Sequence, residues 1–185
     1  MLILASSSPR RSDLLAAAGI EFLTVPVKVE ESVWKHEPPG DHVRRLALEK
    51  AQAAFANHPD AVVIGADTIV LVGGEIMGKP QDNDDATRML RLLSGREHEV
   101  LTGLAVIARR GTAIEVARTR VWINPLTDTE ITEYVATGEP MDKAGAYAIQ
   151  GLFSKFIDRI QGSYSNVVGL PVALVYRLLK GYPEK

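Results

Sequence analysis

The stretch "AVVIGADTIVLVGGEIMG", residues 61–78, constrains the fold more than any other part of the chain. A long run of β-branched and aliphatic residues, a Gly-Gly turn and a second apolar run predict a buried central strand followed by a returning strand. Such a strand needs cover on both faces, so helices must pack against the sheet. Inside the run sits Asp67. A carboxylate there is costly unless it is paired, metal-bound or at a strand end facing a cleft. Gly65 and Ala66 leave room for a ligand beside it, and Thr68 adds a hydroxyl. A structural aspartate capping a neighbouring segment is the alternative.

The remaining segments alternate between strand and helix patterns. Residues 2–5, "LILA", read as a short buried strand, after which Ser8 is placed to cap a helix with Pro9 in its first position and Gly19 at its end. "EFLTVPVKVEE" (21–31) is β-rich, and Pro26 predicts an edge position. Asp41 is read as the cap of a helix over about 42–57, whose Val43, Leu46, Ala47, Lys50, Ala51 and Ala54 recur at helical spacing. "DNDDATRMLRLLSG" reads as a helix with an acidic first turn, and residues 98–124 as two long strands joined near 110–112. Thr127 and Glu130 have capping-box spacing. "GLFSKFIDRIQGSYSN" is read as a strand with one buried face, and a last helix is expected over about 171–180. At least two antiparallel hairpins exclude a pure βαβ array. The expectation is one α/β domain over 1–185 with an elongated mixed sheet.

Several chemistries are excluded or disfavoured. The chain has no cysteine, so disulfides, thiolate nucleophiles and cysteine-based zinc sites are impossible. His36, His42, His58 and His98 lack paired metal-ligand spacing, and no GxSxG or Walker-type loop occurs. A net charge of -2 argues against a surface coated for duplex nucleic acid, while leaving a local basic pocket open. No stretch reaches the roughly 18 apolar residues of a membrane span. "MLILASSSPRR" lacks the basic start of a signal peptide, so a cytoplasmic protein is expected.

The segment "LASSSPRRSDLLAAAG" (4–19) offers more polar groups than a helix start requires. Unpaired N–H groups and the positive end of the dipole, joined by Ser6, Ser7, Ser8, Arg10 and Arg11, suit a phosphate. An ordinary cap with two solvated arginines accounts for the same residues, and Arg11 can instead brace the helix against the sheet. Glu30 and Glu31 end a β-rich segment, where a carboxylate can join Asp67 around a hard cation or simply be solvated. Lys50 lies on the apolar stripe of its helix, which places its ammonium in a cleft or lets it snorkel. Lys79 occupies a turn after a strand, a common location for functional groups.

Taken together, the chain resembles the Maf family of nucleotide pyrophosphatases. The resemblance is carried by "LASSSPRRSDLL", "EE" at 30–31, "LALEKA", "IGADTIV", "GKPQD", "MLRLLSGREHEVLTG", "GEPMDKAGAYAIQG" and "GSYSNVVGLP", in order and nearly end to end. It implies an elongated α/β fold related to inosine triphosphate pyrophosphatases, with a mixed sheet, flanking helices and two lobes around a cleft. The implied activity cleaves a nucleoside triphosphate between its α- and β-phosphates. The implied cofactor is a divalent cation, Mg²⁺ or Mn²⁺. A cytoplasmic homodimer linked to septum formation, with neither nucleic acid nor membrane as a stable partner, is the implied setting. By motif, Asp67 is the implied catalytic base and Glu31 its partner at the metal. Arg10 is implied to contact substrate, Ser6 to belong to the phosphate loop, and Lys50 and Lys79 to line the pocket. Thr68 and Gln150 are implied to govern substrate choice. Gln150 in "AYAIQG" resembles the branch acting on dTTP and UTP, and its amide offers both a donor and an acceptor to a pyrimidine imide edge. A non-enzymatic nucleotide-binding regulator of septum formation is the rival reading, although binding alone does not call for Asp67.

Overall fold

The structure, a computed structural model, describes residues 1–182. Its elements in chain order are β1 (Leu2–Ala5), α1 (Pro9–Ala17), β2 (Leu23–Thr24), α2 (Pro39–Phe55), β3 (Val62–Val72), β4 (Glu75–Met77), α3 (Asn83–Leu93), β5 (Glu97–Ala108), β6 (Gly111–Ile123), α4 (Asp128–Ala136), β7 (Ile157–Gln161), α5 (Tyr164–Val168) and α6 (Val172–Leu179). The strands form a seven-stranded mixed sheet in the order β2-β1-β3-β5-β6-β7, with β4 paired to β3. The long apolar run at 62–72 is therefore an interior strand, as its composition requires. The chain divides into two units, Met1–Thr68 with Thr102–Ala117 and Gly169–Lys185, and Ile69–Leu101 with Arg118–Val168.

In the first unit, β1 runs parallel to β3 with Leu2 opposite Val62 and Ala5 opposite Gly65. The pleat sends alternate residues of β3 to opposite faces. Ile3, Ala5 and Val63 pack with Ala47, Ala51 and Ala54 of α2 on one face. Leu4, Ile64 and Ala66 pack with Leu15 of α1 and Val175 of α6 on the other. The small residues of α2 allow a close approach. A Cβ on Gly65 would fall on the Ala47 carbonyl and 2.6 Å from the Ala51 nitrogen, and one on Gly103 would strike the Val43 carbonyl. Gly65→Ala should therefore push α2 off the sheet at a cost of about 1–3 kcal/mol, read as a lower denaturation midpoint in urea.

Three expectations are corrected in this half or the next. The second helix begins at Pro39 with Pro38 as its N-cap. Pro39 has the preset φ of a first helical residue, so Asp41 lies inside the first turn, where it accepts from Arg44. The β-rich segment at 21–31 contributes only Leu23–Thr24 as an edge strand. Val25 still donates to the Leu4 carbonyl, but Pro26 has no N–H to continue the ladder. Finally, Phe153 and Phe156 are buried from a 3₁₀ turn, Leu152–Phe156, so their spacing is three; only Ile157–Gln161 is strand.

The second unit has its own core. Met89, Leu90 and Leu93 of α3 pack with Val121, Ile131, Tyr134, Phe153 and Phe156. Asp82 caps α3 by accepting from the Asp85 N–H, and Thr127 with Glu130 forms the expected capping box on α4. Among these apolar groups His98 is buried, its Nε2 2.7 Å from the Tyr147 hydroxyl and its Nδ1 without a hydrogen-bond partner. Burial pushes the imidazole pKa from 6.5 down to about 4. The unfolded chain therefore binds a proton between these values that the folded chain does not. Stability contributed by neutral His98 should be complete above about pH 6.5 and fall by about 2 kcal/mol on reaching pH 5. Urea titrations at pH 8 and pH 5 should show that part of the loss disappearing in His98→Phe.

Candidate active site

β1 ends at Ala5, and the chain turns through three serines into α1, so the start of that helix lies at the carboxyl end of a parallel strand. Such an arrangement suits an anion. Ser8 holds the N-cap position, as expected, but its hydroxyl makes no capping bond. Instead the Ser8 N–H donates to Oγ of buried Ser6 at 3.1 Å. The Ser8 hydroxyl thus does not cap the first turn of α1.

Arg11 fastens this turn to the sheet. Its Nη1 donates to the Ala66 carbonyl at 2.8 Å, its Nη2 to Thr68 Oγ1 at 3.1 Å, and its Nε to the Gly169 carbonyl at 2.9 Å. Burial lowers the guanidinium pKa, and the nearby Asp67 and Glu31 carboxylates oppose that shift. Arg11 thus braces the helix against β3, and Arg10, one residue earlier, is half-buried.

Asp67 and Thr68 are adjacent in sequence but lie on opposite faces of β3. Thr68 shares the α1 and α6 face. Its Oγ1 donates to the Gly169 carbonyl at 3.3 Å, receives Arg11, and lies 2.9 Å from Thr102 Oγ1. With the Thr102 hydroxyl as donor, one O–H and two lone pairs are all engaged. Asp67 shares the α2 face and is only 7% exposed. Its Oδ1 accepts from Lys50 Nζ at 2.7 Å, and the same ammonium lies 2.5 Å from Glu31 Oε1. Lys50, on the apolar stripe of α2, turns into an ion pair with two carboxylates rather than snorkelling outward. Ser6, Arg10, Glu31, Lys50, Asp67 and Thr68 all belong to the first unit. Lys79 and Gln150, both exposed, belong to the second.

A further cluster gave no signal in the sequence. Glu37 accepts from Arg45 Nε at 2.6 Å and Nη2 at 2.9 Å, and its Oε2 lies 3.0 Å from His42 Nδ1. These bonds, above all the one from Arg45, hold the Glu37 carboxyl down at about 2. Glu37 directly precedes two prolines and reads as an acid before a helix; only folding of the 30–37 loop onto α2 reveals its partners.

Among the described residues no group of three or more His, Asp or Glu side chains is assembled as a metal cage. The Glu31 and Asp67 carboxylates nevertheless converge on a single cationic centre, Lys50 Nζ. Two oxygen ligands fit a magnesium-type ion that keeps several waters and takes phosphate oxygens, and do not fit a zinc site built on His or Cys. No helix among the described residues is long and apolar enough to cross a membrane.

A family model described as Maf-like protein matches residues 1–182. A dTTP/UTP pyrophosphatase of Citrifermentans bemidjiense is 52% identical over 181 residues, covering 97% of this chain and 94% of that protein. A dTTP/UTP pyrophosphatase of Bacillus cereus strain B4264 is 50% identical over 181 residues, covering 98% of this chain and 95% of that protein. Among solved structures, the Staphylococcus aureus Ham1 protein superposes with a TM-score of 0.55 at 14% identity, covering 98% of this chain and 99% of that one. That likeness is one of fold.

Proposed function

The chain belongs to the Maf-like protein family, and on that premise we propose that it hydrolyses nucleoside triphosphates, dTTP and UTP foremost, to the nucleoside monophosphate and pyrophosphate. One observation carries the reading: a carboxylate buried in an interior strand, fixed by a lysine at 2.7 Å, in the same unit as a serine- and arginine-rich helix start. The relatives' names supply the substrate class.

In this mechanism Asp67 orients a water and takes its proton as the water oxygen bonds to the α-phosphorus. The bond from that phosphorus to the oxygen bridging to the β-phosphate breaks, and pyrophosphate leaves. Lys50 holds the Asp67 carboxylate in one orientation, which is the preorganisation a general base needs. The N-terminal end of α1, with Ser6, Arg10 and Lys50, compensates the triphosphate charge and the charge developing on the leaving group. Glu31 and Asp67 would hold a Mg²⁺ or Mn²⁺ ion, which when bound supplies charge neutralisation at the phosphate oxygens.

Lys79 and Gln150 are proposed, from the family resemblance, as a phosphate contact and as the residue that chooses the base. Gln150→Ala should lower kcat/KM for dTTP and UTP more than for GTP or ATP, as pyrophosphate release from each nucleotide would show. Equal losses across the panel would remove Gln150 from substrate choice. A cytoplasmic location and a homodimer belong to the same proposal; sedimentation of the purified chain tests the second.

A further inference from the structure

The loop that carries Glu31 is anchored by residues the reaction does not use. Arg45 of α2 donates from Nη2 to the carbonyl of Ser32, the residue after Glu31, at 3.0 Å. Its guanidinium also lies 4.0 Å from the centroid of the Trp34 ring and donates from Nη1 to Glu49 at 3.3 Å. Glu37, paired with the same guanidinium through both oxygens, accepts from the backbone N–H of Trp34 at 3.2 Å. The turn closes with Glu37 donating its own N–H to the Trp34 carbonyl, and His36 within it holds a φ of 62°, unusual for a residue with a side chain.

Residues 32, 34 and 37 are therefore tied to one side chain on α2. The side chains of Arg45 and Glu37 are 13% and 7% exposed, whereas that of Glu31 is 56% exposed. An exposed glutamate on an irregular loop loses much side-chain and backbone freedom when held at Lys50. Lys50 lies five residues beyond Arg45 on the same helix, so one rigid element carries both the anchor and the group that Glu31 meets.

We infer that the Arg45–Glu37 pair is a positioning device for Glu31. It locks residues 32–37 onto α2, so that the Glu31 carboxylate is delivered to Lys50 and Asp67 rather than sampling solvent. The inference rests on the proposed role of Glu31 at the phosphate site. Such supporting partners of a ligating carboxylate act through it and not on substrate.

The test uses Arg45→Met, which keeps the apolar stem but removes every donor, and Arg45→Lys, which keeps the charge but not the fork. Each is made with Glu31 intact and together with Glu31→Gln, and folding is confirmed by circular dichroism. Arg45→Met should lower kcat/KM for dTTP about tenfold and raise the magnesium concentration needed for half-maximal rate, with Arg45→Lys recovering part of the loss. Combined with Glu31→Gln, Arg45→Met should cost nothing further. Without nucleotide or metal, trypsin should cut after exposed Lys35 faster in Arg45→Met, with or without Glu31→Gln, as mass spectrometry would show.

An undiminished Arg45 effect on top of Glu31→Gln, or an unchanged cut at Lys35, would overturn the positioning role while leaving the site intact. Full activity in Glu31→Gln would overturn the role assigned to Glu31, and the positioning role with it.

Discussion

Asp67→Asn should lower kcat for dTTP hydrolysis about 10²–10⁴-fold while leaving the fold intact. An amide of the same shape cannot take the water's proton, yet its oxygen can still accept from Lys50 where Oδ1 does now. Lys50 is not orphaned by the change, because Glu31 remains 2.5 Å from its ammonium. The loss should therefore appear in turnover, with a melting temperature close to that of the parent. Near-normal pyrophosphate release from the purified variant would remove Asp67 from the catalytic role.

Lys50→Met should produce the largest loss of stability among single changes at the site. Asp67 would remain buried, on the face that carries Ile3, Ala5 and Val63, without the ammonium that now pairs with it at 2.7 Å. Removing one partner of a buried ion pair typically costs about 3–5 kcal/mol, which for a chain of this length is on the order of 10 °C in melting temperature. The double variant Lys50→Met with Asp67→Asn should regain most of that loss, because no unpaired charge then stays buried. Equal destabilisation in the single and double variants would show that the lysine stem, and not its charge, supports the fold.

Asp67 and Lys50 stood out in the sequence for a physical reason. A carboxylate in an apolar strand and an ammonium on an apolar helical stripe both violate the burial pattern of their element, and each violation resolves in the other. The strands and helices set by strong periodicity, at 62–72, 83–93 and 97–123, are legible for the same reason. Irregular segments are less so. Residues 21–31 read as β-rich by composition, yet only Leu23–Thr24 pairs, and Pro26 with the Arg45–Glu37 anchor decides the path beyond. Phe153 and Phe156 are core residues whichever local structure holds them, so their burial was foreseeable and their 3₁₀ turn was not. Thr68 is adjacent to Asp67 in sequence, but the pleat of β3 sends the two side chains to opposite faces, and Thr68 binds Arg11, Thr102 and the Gly169 carbonyl, partners that sequence spacing does not reveal. Arg11 reads in the sequence either as a phosphate ligand beside Arg10 or as a brace of the helix against the sheet, and its bonds to the carbonyls of residues 66 and 169 make it a brace.

The role proposed for Asp67 is to direct water to the α-phosphorus of a pyrimidine nucleoside triphosphate. Hydrolysis of dTTP in ¹⁸O-labelled water with magnesium, followed by mass spectrometry of both products, tests it most directly. One labelled oxygen should appear in dTMP and none in pyrophosphate, and both products should be lost with Asp67→Asn. Label in pyrophosphate, or release of orthophosphate in place of pyrophosphate, would contradict it.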